Sequence, residues 1–277
     1  MPASEKISPT AYATGQVWYR NGMSHEALAT PQGKRLDRGF RLMIGSIRAF
    51  TGVRLDTMLL ARHKGIDGEL SRAIESGRVG QVIELAAGLS PRGTTFCQRY
   101  PQLTYIETDL PTMTALKKKL LDDAGLTGPR HRVQEVDALA RSGAKSLAAL
   151  AQTLDPKIGT AVITEGLLSY LDPQAAGVVW RNIAQALQRF PQGLYLADAY
   201  LGADRSSPAF LVFGAIISAF VRGRMHRHFD SPEHAQARLT RAGFAEARLL
   251  RTQEIPETRA LAAIPGPDRV RVLRATT

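Results

Sequence analysis

The 277-residue chain holds one cysteine, Cys97. A lone thiol excludes an internal disulfide framework and a thiolate metal cluster, and it makes a reducing, cytoplasmic setting the natural expectation. Aromatic residues are scarce, at 6%. The longest apolar stretch, Ala209–Val221, runs for thirteen residues, short of the roughly 20 that a membrane-spanning helix needs. Met1–Gly22 is polar and broken where a signal peptide would be continuously apolar. No internal repeat and no low-complexity linker divides the chain, so a single elaborated domain over 1–277 is expected, with no membrane partner.

Acidic residues are also in short supply, 25 against 36 lysines and arginines, which leaves a formal charge of +11. The densest basic patches, Lys117–Lys119 and Arg222–His228, lack the interleaved aromatics of a nucleic-acid stripe. Dispersed positive charge suits solubility or the attraction of an anionic small molecule, and no nucleic-acid partner is expected. His226, His228 and Asp230 are the nearest approach to a metal triad; no further His or Cys spacing supports one, so no metal is expected.

What is present is organised around Gln81–Tyr105. Val82-Ile83-Glu84-Leu85 is an apolar run that leads into Ala86-Ala87-Gly88 and then, past Arg92-Gly93, into a plausible helix. Strand, small-residue turn and helix in that order form the ligand-binding corner of an open parallel sheet. Twenty-one residues beyond Gly88, the run Leu103–Asp109 reads as a second strand ending in an acid, suited to the two hydroxyls of a ribose. The glycines do not make G-x-G-x-x-G, which disfavours a dinucleotide pyrophosphate and with it a nicotinamide-dependent oxidoreductase.

Further strands are expected at Arg130–Val136, Thr160–Glu165, Leu194–Ala197, Glu246–Leu250 and Arg269–Ala275, the last two antiparallel. Helices are expected from Pro111, from Asp172-Pro173 and from Ser231-Pro232, each with a proline at its first turn. A further helix should end near Gly77, and an earlier helical stretch should break at Thr51-Gly52. Four strands end at or near Asp109, Asp137, Glu165 and Asp198, which lines one sheet edge with carboxylates and favours a cation or a hydroxyl-rich group. Lys117–Lys119 falls mostly on the wet side of its helix, and Arg92 is expected to face solvent. Tyr12, Trp18 and Tyr19 suggest a cover over the edge.

With these segments in hand, the chain is similar to the class I S-adenosylmethionine-dependent methyltransferases. More narrowly it resembles the leucine carboxyl methyltransferase family, including its tetracenomycin-type polyketide O-methyltransferases. The resemblance rests on Ala61-Arg62-His63-Lys64-Gly65-Ile66-Asp67, on Val82–Arg92 with Tyr105–Pro111, and on Ile163–Leu171. It implies an α/β, Rossmann-like fold with a mostly parallel seven-stranded sheet and an antiparallel edge strand. An N-terminal helical cover (1–76), a cofactor-binding core (77–198), a substrate-pocket insertion after the fifth strand (199–230) and a C-terminal helix with edge strands (231–277) complete it.

The implied cofactor is S-adenosylmethionine. Arg62 would hold its carboxylate, Glu84, Ala86 and Gly88 would lie along the turn beneath it, and Asp109 would take the ribose. Asp137 with Ala138 would meet the adenine, and Glu165 the ammonium. Tyr170, His226 and His228 are the catalytic candidates. The implied reaction methylates a carboxylate or a phenol or enol oxygen of a small, natural-product-like, anionic and partly apolar substrate, in a monomer or homodimer. A protein C-terminal carboxylate as acceptor, or a non-catalytic S-adenosylmethionine-binding protein, are the alternatives. Where the family has G-A-G-x-D-T, this chain has Ala86 and Ser90, and Ala86 is expected to keep a negative φ or to widen the turn.

Overall fold

A computed structural model of the chain describes residues 8–39, 41, 55–201, 225–264 and 270–277. The break expected at Thr51-Gly52 and the Ala209–Val221 run lie outside the described residues. Val82, Ile83, Glu84 and Leu85 carry no polar alternation, and β1 (Gln81–Leu85) is buried along its whole length, as a central parallel strand covered on both faces must be. β2 (Thr104–Asp109), β3 (His131–Glu135), β4 (Thr160–Thr164) and β5 (Gly193–Tyr200) run parallel to it, and β6 (Glu246–Arg251) and β7 (Val270–Thr276) finish the sheet. The order is β3-β2-β1-β4-β5-β7-β6, with β7 antiparallel to both neighbours. The reversed strand therefore lies one place inside the edge.

Side chains alternate across β1, so Ile83 and Leu85 face one apolar layer and Val82 the other. The first layer packs beneath α6 (Pro173–Leu187) and α7 (Pro232–Ala242), where Trp180, Ile183, Leu187 and Leu239 meet Tyr195 and Leu273. The second packs beneath α2 (Leu55–Glu75) and α3 (Arg92–Arg99) through Ile66, Leu70 and Phe96. Helix ends follow the local chemistry. Asp172 accepts from the amides of Gln174 and Ala175 (2.9 and 2.8 Å), and Ser231 from that of His234 (3.1 Å). Gly77 and Gly243 close α2 and α7 at φ of 72° and 110°, which a side chain would resist.

The lysine run on α4 (Pro111–Asp123) is mostly wet, with one exception. Lys118 and Lys119 are exposed and pair with Asp122 and Asp123 one turn on, but Lys117 is buried. Its ammonium meets the Glu107 carboxylate and donates to the Ser90 carbonyl at 2.8 Å. Glu107 is a buried acid on a central strand and requires a cation there. After β5 comes the insertion, bracketed by a bridge between Leu201 and Phe229. No helix among the described residues is long and apolar enough to cross a membrane.

Candidate active site

The carboxyl ends of β1, β4 and β5 open onto one cleft, roofed by α1 (Ser8–Arg20). Arg62, Glu84, Ala86, Gly88, Glu165 and Tyr170 all line it, together with Thr10, Ala11, Trp18, Tyr200 and Met225. β1 ends in a tight turn in which Ala86 has φ of 52° and Gly88 of 49°. Ala86 thus takes the left-handed backbone itself, instead of the negative φ or wider turn expected for it. A Cβ on Gly88 would stand 3.0 Å from Ala11 of the roof. The Gly88 amide donates to Asp109 Oδ2 at 2.8 Å and the Leu110 amide to Oδ1 at 2.8 Å. Asp109 therefore stands behind the turn as well as at the strand end, and burial raises its carboxyl above the ordinary range.

Arg62, two turns into α2, reaches across to the end of β4. Its Nε donates to Glu165 Oε1 at 2.9 Å, and Nη1 lies 3.6 Å from Asp198 Oδ2. Gly166 leaves the guanidinium room, since a Cβ there would come within 3.1 Å of Nη2. Asp198 also accepts from the Gly166 amide at 2.7 Å. Burial opposes the charge on Arg62, but Asp198 and Glu165 outweigh it and hold the guanidinium more firmly protonated than usual.

Below this pair lies an ionic layer that the sequence reading missed. Arg92 is fully buried rather than facing solvent. Its Nε donates to Asp67 Oδ1 and Nη2 to Glu165 Oε2, both at 2.5 Å, and Nη1 meets Glu84 Oε1. The Tyr105 hydroxyl donates to the other Glu84 oxygen at 2.7 Å. Burial pushes the Glu165 carboxyl up, yet His63, Arg92 and Arg62 together bring it well below the ordinary range. The missed signal was Glu84 itself: an acid inside an apolar central strand requires a buried cation, and Arg92, four residues past Gly88, is the one within reach.

The remaining candidates separate. Asp137 and Ala138 follow β3 and are not among the residues lining the cleft; Asp137 accepts from the Leu139 amide (2.9 Å) and the Ala138 carbonyl from Asn182 (2.9 Å). The His226 amide donates to the Ser169 carbonyl at 2.8 Å, which places the residue beside the cleft-lining Met225. His228 points elsewhere. Its ring is buried edge-on to Trp180, Nε2 lies 2.8 Å from the Leu168 carbonyl, and the residue is not among those lining the cleft. Cys97 is partly buried against the second apolar layer. Among the described residues no group of three His, Cys, Asp or Glu side chains is placed to hold a metal ion.

The sheet order, the glycine turn and the strand-end acids define a class I methyltransferase fold. The chain belongs to the leucine carboxyl methyltransferase family, whose model matches residues 26–184. The leucine carboxyl methyltransferase 1 of Eremothecium gossypii is 29% identical over 52% of this chain and 47% of its own length. A Frankia alni protein is 31% identical over 62% of this chain and 61% of its own. The match thus spans about half to three fifths of these relatives. Among solved structures, PigF with SAH aligns at TM-score 0.54 and 18% identity over 99% of this chain and 72% of its own. The magnesium protoporphyrin IX methyltransferase of Synechocystis aligns at 0.50 and 13% over 88% and 99%. These two likenesses show the fold.

The residues present fit S-adenosylmethionine, the cofactor of this family. Its methionine end is a zwitterion, and the cleft sets one guanidinium, Arg62, beside one carboxylate, Glu165. Around them Arg62 and Arg92 face Asp67, Glu84, Glu165 and Asp198, an acidic surplus that favours a ligand of net positive charge. The enclosed volume is small, about 100 Å³, against roughly 300–1,000 Å³ for small-molecule sites. α1 rests directly on Gly88 at one side of this space.

Proposed function

We propose that the protein is an S-adenosylmethionine-dependent O-methyltransferase that esterifies a carboxylate on a small, partly apolar acid. The observation that carries this is the Arg62–Glu165 pair facing the Ala86–Gly88 turn in one cleft. When bound, the cofactor supplies a methyl group on a positively charged sulfur. Arg62 would hold its carboxylate, Glu165 its ammonium and Asp109 its ribose hydroxyls.

A carboxylic acid, with a pKa near 4, is ionised at pH 7 and needs no base. That matches the cleft, because among its described lining residues there is no imidazole, and its acids Glu84 and Glu165 are both ion-paired. Tyr170 is kept protonated by burial and is suited to donate to the acceptor. Trp18, Leu59, Tyr200 and Met225 give the cleft an apolar rim, which supports a small greasy acid of the kind handled by the tetracenomycin-type branch. Alignment and exclusion of water then carry the rate, by about 7–11 kcal/mol in well-oriented systems.

The second reading is carboxyl methylation of a protein C-terminus, favoured by the likeness to a leucine carboxyl methyltransferase. A phenol or enol acceptor would need a base, for which His226, next to Met225, is the remaining candidate. Formation of S-adenosylhomocysteine across a panel of apolar carboxylic acids, phenols and C-terminal peptides separates these. Turnover confined to the acids is expected; turnover confined to phenols or to peptides would overturn the small-acid reading.

A further inference from the structure

His63 sits where the roof and the ionic layer meet. Its ring is 1% exposed and stacks on Trp18 of α1 with centroids 4.3 Å apart. Nδ1 lies 2.7 Å from Glu165 Oε2 and 2.9 Å from Arg92 Nη2, while Nε2 lies 3.6 Å from Asp67 Oδ2. A guanidinium nitrogen offers only hydrogens and a carboxylate only lone pairs. A ring nitrogen between them cannot satisfy both. Bare Nδ1 accepts from Arg92 and abuts the carboxylate; protonated Nδ1 donates to Glu165 and abuts Arg92.

We propose that His63 is a positioning residue for Glu165, and that its proton sets how strongly the cleft holds a ligand's ammonium group. This rests on the reading of the cleft as the cofactor site. Glu165 already takes Arg62 on Oε1 and Arg92 on Oε2, and an imidazolium is a third cation on the same carboxylate. With His63 charged, Glu165 has little attraction left for a ligand ammonium. With His63 neutral, that third cation is gone whichever ring nitrogen keeps the remaining proton, and Glu165 regains attraction for the ligand ammonium. The charged groups that face the ring are Asp67 from its own helix, Arg92 from α3 and Glu165 after β4, with Glu84 of β1 behind Arg92. From α1 only the indole of Trp18 meets it. The same stacking makes the roof helix a reporter, since an imidazolium against an indole quenches its fluorescence.

The test is calorimetric titration of the full chain with S-adenosylhomocysteine from about pH 5.5 to 8.5, the span in which histidines generally titrate, for wild type and His63→Gln. Glutamine can donate and accept at the same place but does not titrate. The expected wild-type affinity rises about tenfold across the span, the scale of one close charge, and the rise is lost in His63→Gln. A merely structural role would weaken binding equally at every pH and leave the slope. Tryptophan emission over the same pH range, without ligand and in a Trp180→Phe background that removes the second indole and its contact with His228, should show a step that His63→Gln removes.

A slope unchanged by the substitution, or an emission step that survives it, would overturn this inference and leave the cofactor reading intact. Absence of binding by wild type at every pH would remove the cofactor reading and the inference with it.

Discussion

At single positions the structure attaches costs to particular atoms. Ala86 holds a left-handed φ, a conformation that costs an L-residue about 1–2 kcal/mol. Ala86→Gly relieves it and gives back roughly 0.4–1 kcal/mol in the freer unfolded chain. The expected result is a modest rise in stability, read from urea unfolding; a loss would show that the turn is unstrained. Cys97 offers a second check. Burial, and then the charge of Glu107, push its thiol up to about 12, so its thiolate is roughly a thousandfold scarcer than that of a free cysteine near neutral pH. Iodoacetamide at pH 8 should label the native protein far more slowly than the denatured chain, and equal rates would place the thiol in solvent. Glycine positions were readable from sequence because they punctuate local structure. The φ of Ala86 was not, because it follows from β1 and the roof together.

Between elements, buried charge joins what apolar packing alone would leave to slide. Arg92 binds Asp67 of α2, Glu84 of β1 and Glu165 after β4. Arg92→Met leaves Glu84 without its cation and takes one from Asp67 and Glu165, and should cost about 3–5 kcal/mol, measured by urea unfolding. A change under 1 kcal/mol would mean that the network is dispensable. A second joint sits behind the turn, where Glu107 meets Lys117 and His131. Gly93 gives that pair its room, since a Cβ there would press on Glu107 and come within 2.6 Å of His131 Nε2. Gly93→Ala should be strongly destabilising, with Gly128→Ala, which has nothing within 4 Å, as the near-neutral control; equal melts would contradict it. Caps and strands were legible because a few adjacent residues decide them. Arg92 was misplaced, and Lys117 not told apart from its neighbours, because their burial depends on acids contributed by other strands.

Across the molecule, two carboxyls should govern behaviour in acid. Burial pushes both Glu165 and Glu107 up, but the cations around them win and leave both below the ordinary range. A group so lowered lends stability that is complete above its unfolded value, near 4.5, and lost as pH falls through its folded value. Unfolding free energy should therefore be flat with respect to these groups above about pH 5 and drop below about pH 4. Glu107→Gln should shallow that drop, and an identical profile would detach Glu107 from it. The strands and the cleft's place at one sheet edge followed from the alternation of apolar runs, turns and acids, and Arg62, Glu165 and Gly88 meet there. Asp137, Ala138 and His228 lie away from the lining because sequence distance does not say which way a loop turns.

The central claim is that Arg62 and Glu165 form the seat of S-adenosylmethionine, and a calorimetric titration of wild type and Arg62→Ala with that cofactor tests it most directly. The account predicts one site in wild type and at least about tenfold weaker binding in the variant, since a charge-assisted hydrogen bond contributes about 1.5–3 kcal/mol. Equal dissociation constants for the two proteins, or no heat of binding in wild type, would contradict it.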